Sequence, residues 1–219
     1  IYGMTEMAPI MTILAGVFHT QEGRELGKIR SAGQPGIGID VRIVDPEGHE
    51  LPRGKVGEII VLSPGVMLGY WNKPEETAKA LARPGSEGWM HTGDAGRMDA
   101  EGFVFLVDRV KDMIVSGGEN VYSVEVEQAV AKHPAGAACA VIGVPDDAWG
   151  ERVHAVVVLR SGAEASDEDI RTHCKTLIGG YKCPRSVEFI AALPVNGAGK
   201  VLKTKLREPY WATRERKIA

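Results

Sequence analysis

Residues 108–127 read Asp-Arg-Val-Lys-Asp-Met-Ile-Val-Ser-Gly-Gly-Glu-Asn-Val-Tyr-Ser-Val-Glu-Val-Glu, and the parsing of this stretch decides the fold. A charged cluster (Asp108, Arg109, Lys111, Asp112) gives way to a short apolar run, Met113 to Val115. Paired glycines follow at Gly117 and Gly118, and Ser123 opens a helical pattern. Glycine suits a tight turn and serine is a preferred helix cap. Charge, strand, turn and helix start in quick succession describe a hinge that feeds a second domain.

Upstream of the hinge, Ala95-Gly-Arg-Met98 and Phe103-Val-Phe-Leu-Val107 form a hairpin across Asp99-Ala-Glu-Gly102. Trp89 to Asp94 reads as a loop. Pro74 to Leu81 is a short helix, with proline near its start and acids in its first turn. Val41 to Val44 and Gly57 to Leu62 are β-rich runs joined by turn chemistry at Asp45-Pro-Glu-Gly48. Glycines break up residues 7–33, which read as loops and short strands. Residues 1–110 are therefore expected to be β-rich and barrel-like.

Downstream, Ser123 caps a helix to about Lys132, with Val124, Val126, Val130 and Ala131 as buried positions, and His133-Pro134 ends it. Ala137 to Val144, Val153 to Leu159 and Ser186 to Ile190 are three strands. Ser166 caps a second helix to about Ile178, and Lys203 to about Trp211 forms a terminal one. Residues 111–219 should thus be a small α+β domain, a three-stranded sheet with helices. The class of the whole is α+β.

The chain has 219 residues, 44% of them hydrophobic and 25% charged, as in an ordinary globular protein. Its net charge of −3 gives no reason to expect nucleic acid. The basic residues of 180–219, nine against three acids, lack interleaved aromatics, and the first half has no basic stripe. A basic end suits a phosphate-rich small ligand. Three cysteines without CxxC spacing argue against a disulfide framework or a zinc site and suggest a reducing cytoplasm. No apolar run approaches the roughly 20 residues of a transmembrane helix. The first residue is Ile1, without initiator methionine or signal-like segment, which suggests a fragment. Homo-oligomerisation is left open.

Several familiar chemistries fail on spacing. Gly197-Ala-Gly-Lys200 ends like a P-loop, but Pro194 and Val201 stand where that motif needs glycine and a hydroxyl residue. There is no G-x-S-x-G elbow, and the six histidines show no metal-ligand spacing. His154 lies inside an apolar strand and reads as a satisfied core residue. What remains is a set of glycine-flanked polar clusters: Thr5-Glu6, His91-Thr-Gly-Asp94, Asp108-Arg109, Gly117-Gly-Glu119 and Gly199-Lys200. Each alone is compatible with an ordinary turn.

Taken together, the clusters resemble the C-terminal part of an adenylate-forming acyl-CoA synthetase of the fatty-acid or aryl-acid type. That superfamily is shared with luciferases and peptide-synthetase adenylation domains. Tyr2-Gly-Met-Thr-Glu6 is similar to its YGxTE segment and Gly88-Trp-Met-His-Thr-Gly-Asp94 to its TGD segment. Asp108-Arg-Val-Lys-Asp112 resembles its hinge, Gly117-Gly-Glu-Asn-Val-Tyr122 the glycine loop that follows, and Pro194 to Lys203 the segment with the catalytic lysine. The phosphate loop of the family has no counterpart here and is expected upstream of Ile1.

The resemblance implies a carboxylic acid–CoA ligase, with a fatty acid as the leading substrate, that uses ATP, Mg²⁺ and coenzyme A. Residues 1–110 would be the end of the large AMP-binding domain and residues 111–219 a mobile C-terminal domain pivoting at Lys111. Tyr2 would face adenine, with Gly3 and Met4 bordering the site. Thr5 would meet the α-phosphate and Glu6 the Mg²⁺. Asp94 and Arg109 would hold the ribose. Lys200 would bridge the substrate carboxylate and α-phosphate. Gly117, Gly118 and Glu119 would line the pantetheine path. An adenylation domain that loads a carrier protein, and a non-catalytic nucleotide-binding module, remain alternatives. A polypeptide of these 219 residues alone should release no pyrophosphate when given ATP and a carboxylic acid. Clear turnover in a pyrophosphate-release assay would overturn the expectation of a fragment.

Overall fold

The computed structural model describes residues 1–81 and 88–212, arranged as two compact units, Ile1–Val110 and Lys111–Ala219. The last residues of the basic segment at 180–219 lie outside the described ones. Among the described residues no helix is long and apolar enough to cross a membrane.

The first unit begins with single-turn 3-10 helices and the two-stranded pair of β1 (Thr12–Ile13) and β2 (Gln34–Pro35), around the short helix α1 (Gln21–Glu25). Its main sheet is an antiparallel meander of β3 (Asp40–Val44), β4 (Val56–Leu62), β5 (Met90–Met98) and β6 (Val104–Arg109), in that order. Helix α2 (Pro74–Leu81) lies between β4 and β5 in sequence. Val41, Ile43, Ile59, Val61, Met90, Met98 and Val104 turn into one core with Met7 and Met11.

Strand β5 corrects the expected loop at Trp89–Asp94. The cause lies in its partner: the β4–β5 register shifts between Glu58 and Ile60, and Glu58 turns inward beside His91. The Glu58 carboxylate accepts from the Gly93 backbone N–H (3.1 Å) and sits 2.9 Å from His91 Nδ1. With those groups satisfied, polar residues can occupy a strand interior. The sequence pattern of a polar loop is a polar bulge instead.

The second unit holds a five-stranded sheet. Strands β9 (Gly136–Asp146) and β10 (Gly150–Leu159) form a long antiparallel hairpin, and β11 (Ser186–Phe189) runs parallel to β10. The stretch 113–122 contributes β7 (Ile114–Ser116) and β8 (Glu119–Val121), which join the three expected strands through a Gly150–Ser116 pair. Helices α3 (Ser123–Ala131) and α4 (Asp167–Lys175) border a core with Val153, Ala155 and Val157 of β10. The opposite side of the same strand buries Val156 with Leu206 and Tyr210 of α5 (Lys203–Trp211). Successive side chains of a strand point to opposite faces, so a strand covered on both sides reads as nearly unbroken valine.

Two local expectations change. Ser123 is the first residue inside α3, and the residue at the cap position is Tyr122. The fully buried Ser123 hydroxyl accepts from Lys203 Nζ at 2.6 Å. Ala129, one turn before Lys132, is buried where Ala131 was expected to be. Ser166, in contrast, forms a full capping box with Asp169. His154 is the satisfied core histidine its setting suggests, 2.7 Å from Ser186 Oγ and 3.1 Å from the Tyr210 hydroxyl.

The N-terminal end of the second unit is fastened by charge. Buried Asp112, in the 3-10 turn Val110–Asp112, accepts from buried Arg207 of α5 at 2.8 Å. Removing one partner of a buried ion pair leaves the other charge desolvated and alone, which costs on the order of 3 kcal/mol or more. Arg207→Ala should therefore destabilise the second unit by about that amount. Hydrogen exchange of the β9 and β10 amides should register the loss; unchanged protection would show the pair to be energetically silent.

Candidate functional site

In the first unit the opening segment is tied down by its backbone. The N–H of Tyr2 donates to Thr12 (3.1 Å), and its carbonyl accepts from Met11 and Thr12 (2.9 and 3.0 Å). Next to it, a side chain on Gly3 would lie 1.7 Å from the Pro9 carbonyl oxygen, so the chain can pass only with glycine there. Met4 packs against the core of the unit.

So anchored, Tyr2 reaches a residue 92 positions away. Its hydroxyl donates to Asp94 Oδ2 at 2.7 Å, and Arg109 Nε lies 3.9 Å from Asp94 Oδ1. Asp94 and Arg109 face each other in the β5–β6 register, which is what brings the acid and the base together. Thr92 supports the arrangement, donating to the Ile59 carbonyl (2.7 Å) and accepting from the Asp94 N–H (3.1 Å). Burial, reinforced by the Asp94 carboxylate, holds the Tyr2 phenol well above its ordinary value. Tyr2 thus donates to a half-buried Asp94 carboxylate whose second oxygen faces a guanidinium. Such a carboxylate is suited to a pair of neighbouring hydroxyls.

Thr5 and Glu6 occupy the 3-10 turn Thr5–Met7 on the same segment. Thr5 is exposed, and Glu6 Oε1 accepts from the Tyr70 hydroxyl at 2.9 Å. Partial burial and then Glu6 raise the Tyr70 phenol.

In the second unit Lys111 is the exposed first residue. Gly117 and Gly118 form the two-residue turn of the β7–β8 hairpin, with φ of 63° and 84°. Positive φ at both central positions is the mirror-image turn that matches strand twist. A side chain on Gly117 would lie 2.3 Å from the Trp149 ring, and its N–H donates to the Trp149 carbonyl at 2.9 Å. Arg185 stacks on the same indole at 4.1 Å. Glu119 is exposed beside the turn, and Lys200 stands on an exposed loop.

The structure thus joins Tyr2, Asp94 and Arg109, and presents Thr5 and Glu6 on the segment that carries Tyr2. In the second unit it sets Gly117 against Trp149, with Gly118 open beside it and Lys200 on a separate loop. The sequence did not point to Glu58, Tyr70, Trp149 or Arg185. A charge within the apolar run Gly57–Leu62 was the one readable signal, and it marks Glu58.

Comparison with known proteins identifies the family. The AMP-binding enzyme family model matches residues 1–71, and the AMP-binding enzyme C-terminal domain model matches residues 125–200. A feruloyl-CoA synthase from Amycolatopsis sp is 46% identical over 209 residues, covering 95% of this chain and 40% of the relative. The fatty acid–[acyl-carrier-protein] ligase ScoC of Streptomyces coeruleorubidus is 40% identical over 218 residues, 100% of this chain and 41% of the relative. Among solved structures, the o-succinylbenzoate CoA synthetase MenE from Bacillus subtilis, in complex with its acyl-adenylate intermediate, superposes with a TM-score of 0.82. It is 33% identical, covering 100% of this chain and 41% of that one. The chain belongs to the AMP-binding enzyme family of adenylate-forming enzymes. It spans about 40% of the length of the curated relatives it matches.

The Tyr2 phenol also predicts a pH response. Raising pH through the ordinary value of 10.0 ionises Tyr2 in the unfolded chain but not in the native one, so stability falls above that pH. Tyr2→Phe should flatten the decline when denaturant unfolding is followed at increasing pH. An equally steep fall in both proteins would refute the assignment.

Proposed function

We propose that the chain serves an ATP-dependent carboxylic acid–CoA ligase that forms an acyl-adenylate and then a thioester. The observation that carries this reading is the Tyr2–Asp94–Arg109 cluster, a ribose-type acceptor built from two distant motifs and the strand leading into the hinge. The family membership and the CoA-ligase activity printed for the feruloyl relative support it.

In the first half-reaction a carboxylate oxygen of the acid attacks the α-phosphorus of ATP. The bond from that phosphorus to the bridging oxygen breaks, and pyrophosphate leaves. Asp94 accepts from the ribose hydroxyls with Arg109 alongside, Tyr2 and Gly3 border the adenine, and Thr5 donates to the α-phosphate. Lys200 places a cation between the two reacting anions, offsetting charge that develops in the transition state. Mg²⁺ would neutralise the phosphate oxygens. Glu6 fits such a role as a single carboxylate, since Mg²⁺ commonly takes one or two protein carboxylates and completes its shell with phosphate and water. Among the described residues no cluster of three or more His, Cys, Asp or Glu could form an all-protein cage.

In the second half-reaction the thiol of coenzyme A gives up its proton, its sulfur attacks the acyl carbon, and the bond to AMP breaks. Gly118, with open space around it, leaves room for the pantetheine arm, Glu119 lies beside it, and Gly117 is the glycine that lets the turn pack on Trp149. Lys111 is the pivot: rotation of its backbone exchanges the adenylating surface of the C-terminal domain for the thiol-delivering one. Fatty and aryl acids are the leading acyl substrates. The similarity to ScoC supports a second reading, in which a carrier protein's phosphopantetheine is the acceptor. Parallel assays with CoA and with a loaded carrier separate the two. The three free cysteines suit a cytoplasmic setting.

In the intact parent protein, Lys200→Ala should lower adenylation by roughly 10²–10³ while thioester formation from supplied acyl-adenylate continues. Pyrophosphate release and thioester yield, measured separately, check this. Equal loss of both half-reactions would sink the assignment of Lys200 to one of them.

A further inference from the structure

We infer that Asn196 is a positioning residue for Lys200, holding the lysine's backbone through its side-chain carbonyl at the tip of a hydrogen-bonded arm. The inference rests on the reading of Lys200 as the adenylating lysine.

The residues from Asn196 to Lys200 are all exposed, so hydrophobic burial contributes nothing to their order. An exposed loop of small residues, Asn-Gly-Ala-Gly-Lys, should be mobile on composition alone. Its bonds say otherwise. The Leu202 N–H donates to the Pro194 carbonyl at 2.8 Å, Val195 bridges Val201, and the Asn196 N–H donates to the Lys200 carbonyl at 2.9 Å. These rungs form a narrow antiparallel arm. At its tip Asn196 Oδ1 accepts two backbone N–H groups, from Ala198 (3.0 Å) and Lys200 (2.9 Å). The Asn196 carbonyl accepts a third, from Gly199 at 2.9 Å.

One residue therefore binds both the N–H and the C=O of Lys200. This is the Asx-type turn for which asparagine is suited, since its side-chain amide can stand in for a backbone carbonyl. The base of the arm is fixed as well. Lys203, next after Leu202, donates to buried Ser123 at 2.6 Å and pairs with Glu127 at 2.7 Å, which locks the arm's exit to α3. The Lys200 ammonium itself makes no side-chain bond among the described residues. A clamped backbone with a free side chain is what a lysine needs to meet a substrate in one geometry, and a small misplacement of a reacting group is expensive in rate.

The test uses the intact parent protein. Asn196→Ala should slow adenylation by at least about tenfold, leave thioester formation from supplied acyl-adenylate unchanged, and speed hydrogen exchange at the Ala198 and Lys200 amides but not in β10. Asn196→Asp keeps the acceptor oxygen and should recover most of the rate and the protection. A fully active Asn196→Ala protein beside an inactive Lys200→Ala control would overturn the inference. So would equal loss in both half-reactions, unchanged exchange at the tip, or no rescue by aspartate. If Lys200→Ala itself adenylates normally, the underlying assignment of that lysine fails instead, and the two failures are told apart.

Discussion

A single buried carboxylate shapes the proposed nucleotide site. Glu58 lies in a strand between apolar neighbours, where an unpaired charge would be costly. It is satisfied by the Gly93 amide and by His91, both on the adjacent strand. Those bonds require the register shift between β4 and β5, and Asp94 follows directly after Gly93. Asp94 then meets Tyr2 and Arg109. The position of half-buried Asp94 is thus set by the solvation demand of a buried acid.

The second unit solves the opposite problem. Strand β10 has apolar side chains on both faces, so it needs cover on both, and α3, α4 and α5 provide it. Several polar groups enter this core with partners in place. His154 meets Ser186 and Tyr210, Lys203 meets Ser123 and Glu127, and Arg207 meets Asp112. All three of these groupings include a residue of α5 (Tyr210, Lys203 and Arg207), whose N-terminal end follows directly on the Lys200 arm. The packing that closes the core also fixes the base from which that arm projects.

The two proposed catalytic surfaces are held by different means. Tyr2 and Asp94 depend on burial and long-range contacts, which raise the phenol and make it a dependable donor. Lys200 has no burial to rely on and depends on local hydrogen bonds from a residue four positions earlier. A cation that must be accessible to a reactant cannot be ordered by desolvation, so its backbone is ordered instead. Gly117 stands between these cases, its turn exposed but its Cα pressed against Trp149.

Much of this was legible in the order of residues. Periodicity and turn chemistry located α2, α4 and α5, the β3–β4 hairpin and the α+β class, because those signals are local. The motif strings identified the family, since glycines and charges at set spacings survive without knowledge of contacts. Tertiary structure alone decided that Met90–Asp94 is a strand, that Ser123 is a buried acceptor, and that Asp112 and Arg207 belong together. Each of these depends on a partner far away in sequence, and pairing of distant polar groups in a low-dielectric interior leaves no periodic trace. Residue order determined which groups are present; the packed core determined which of them meet, because only burial makes an unmet polar group too costly to leave alone.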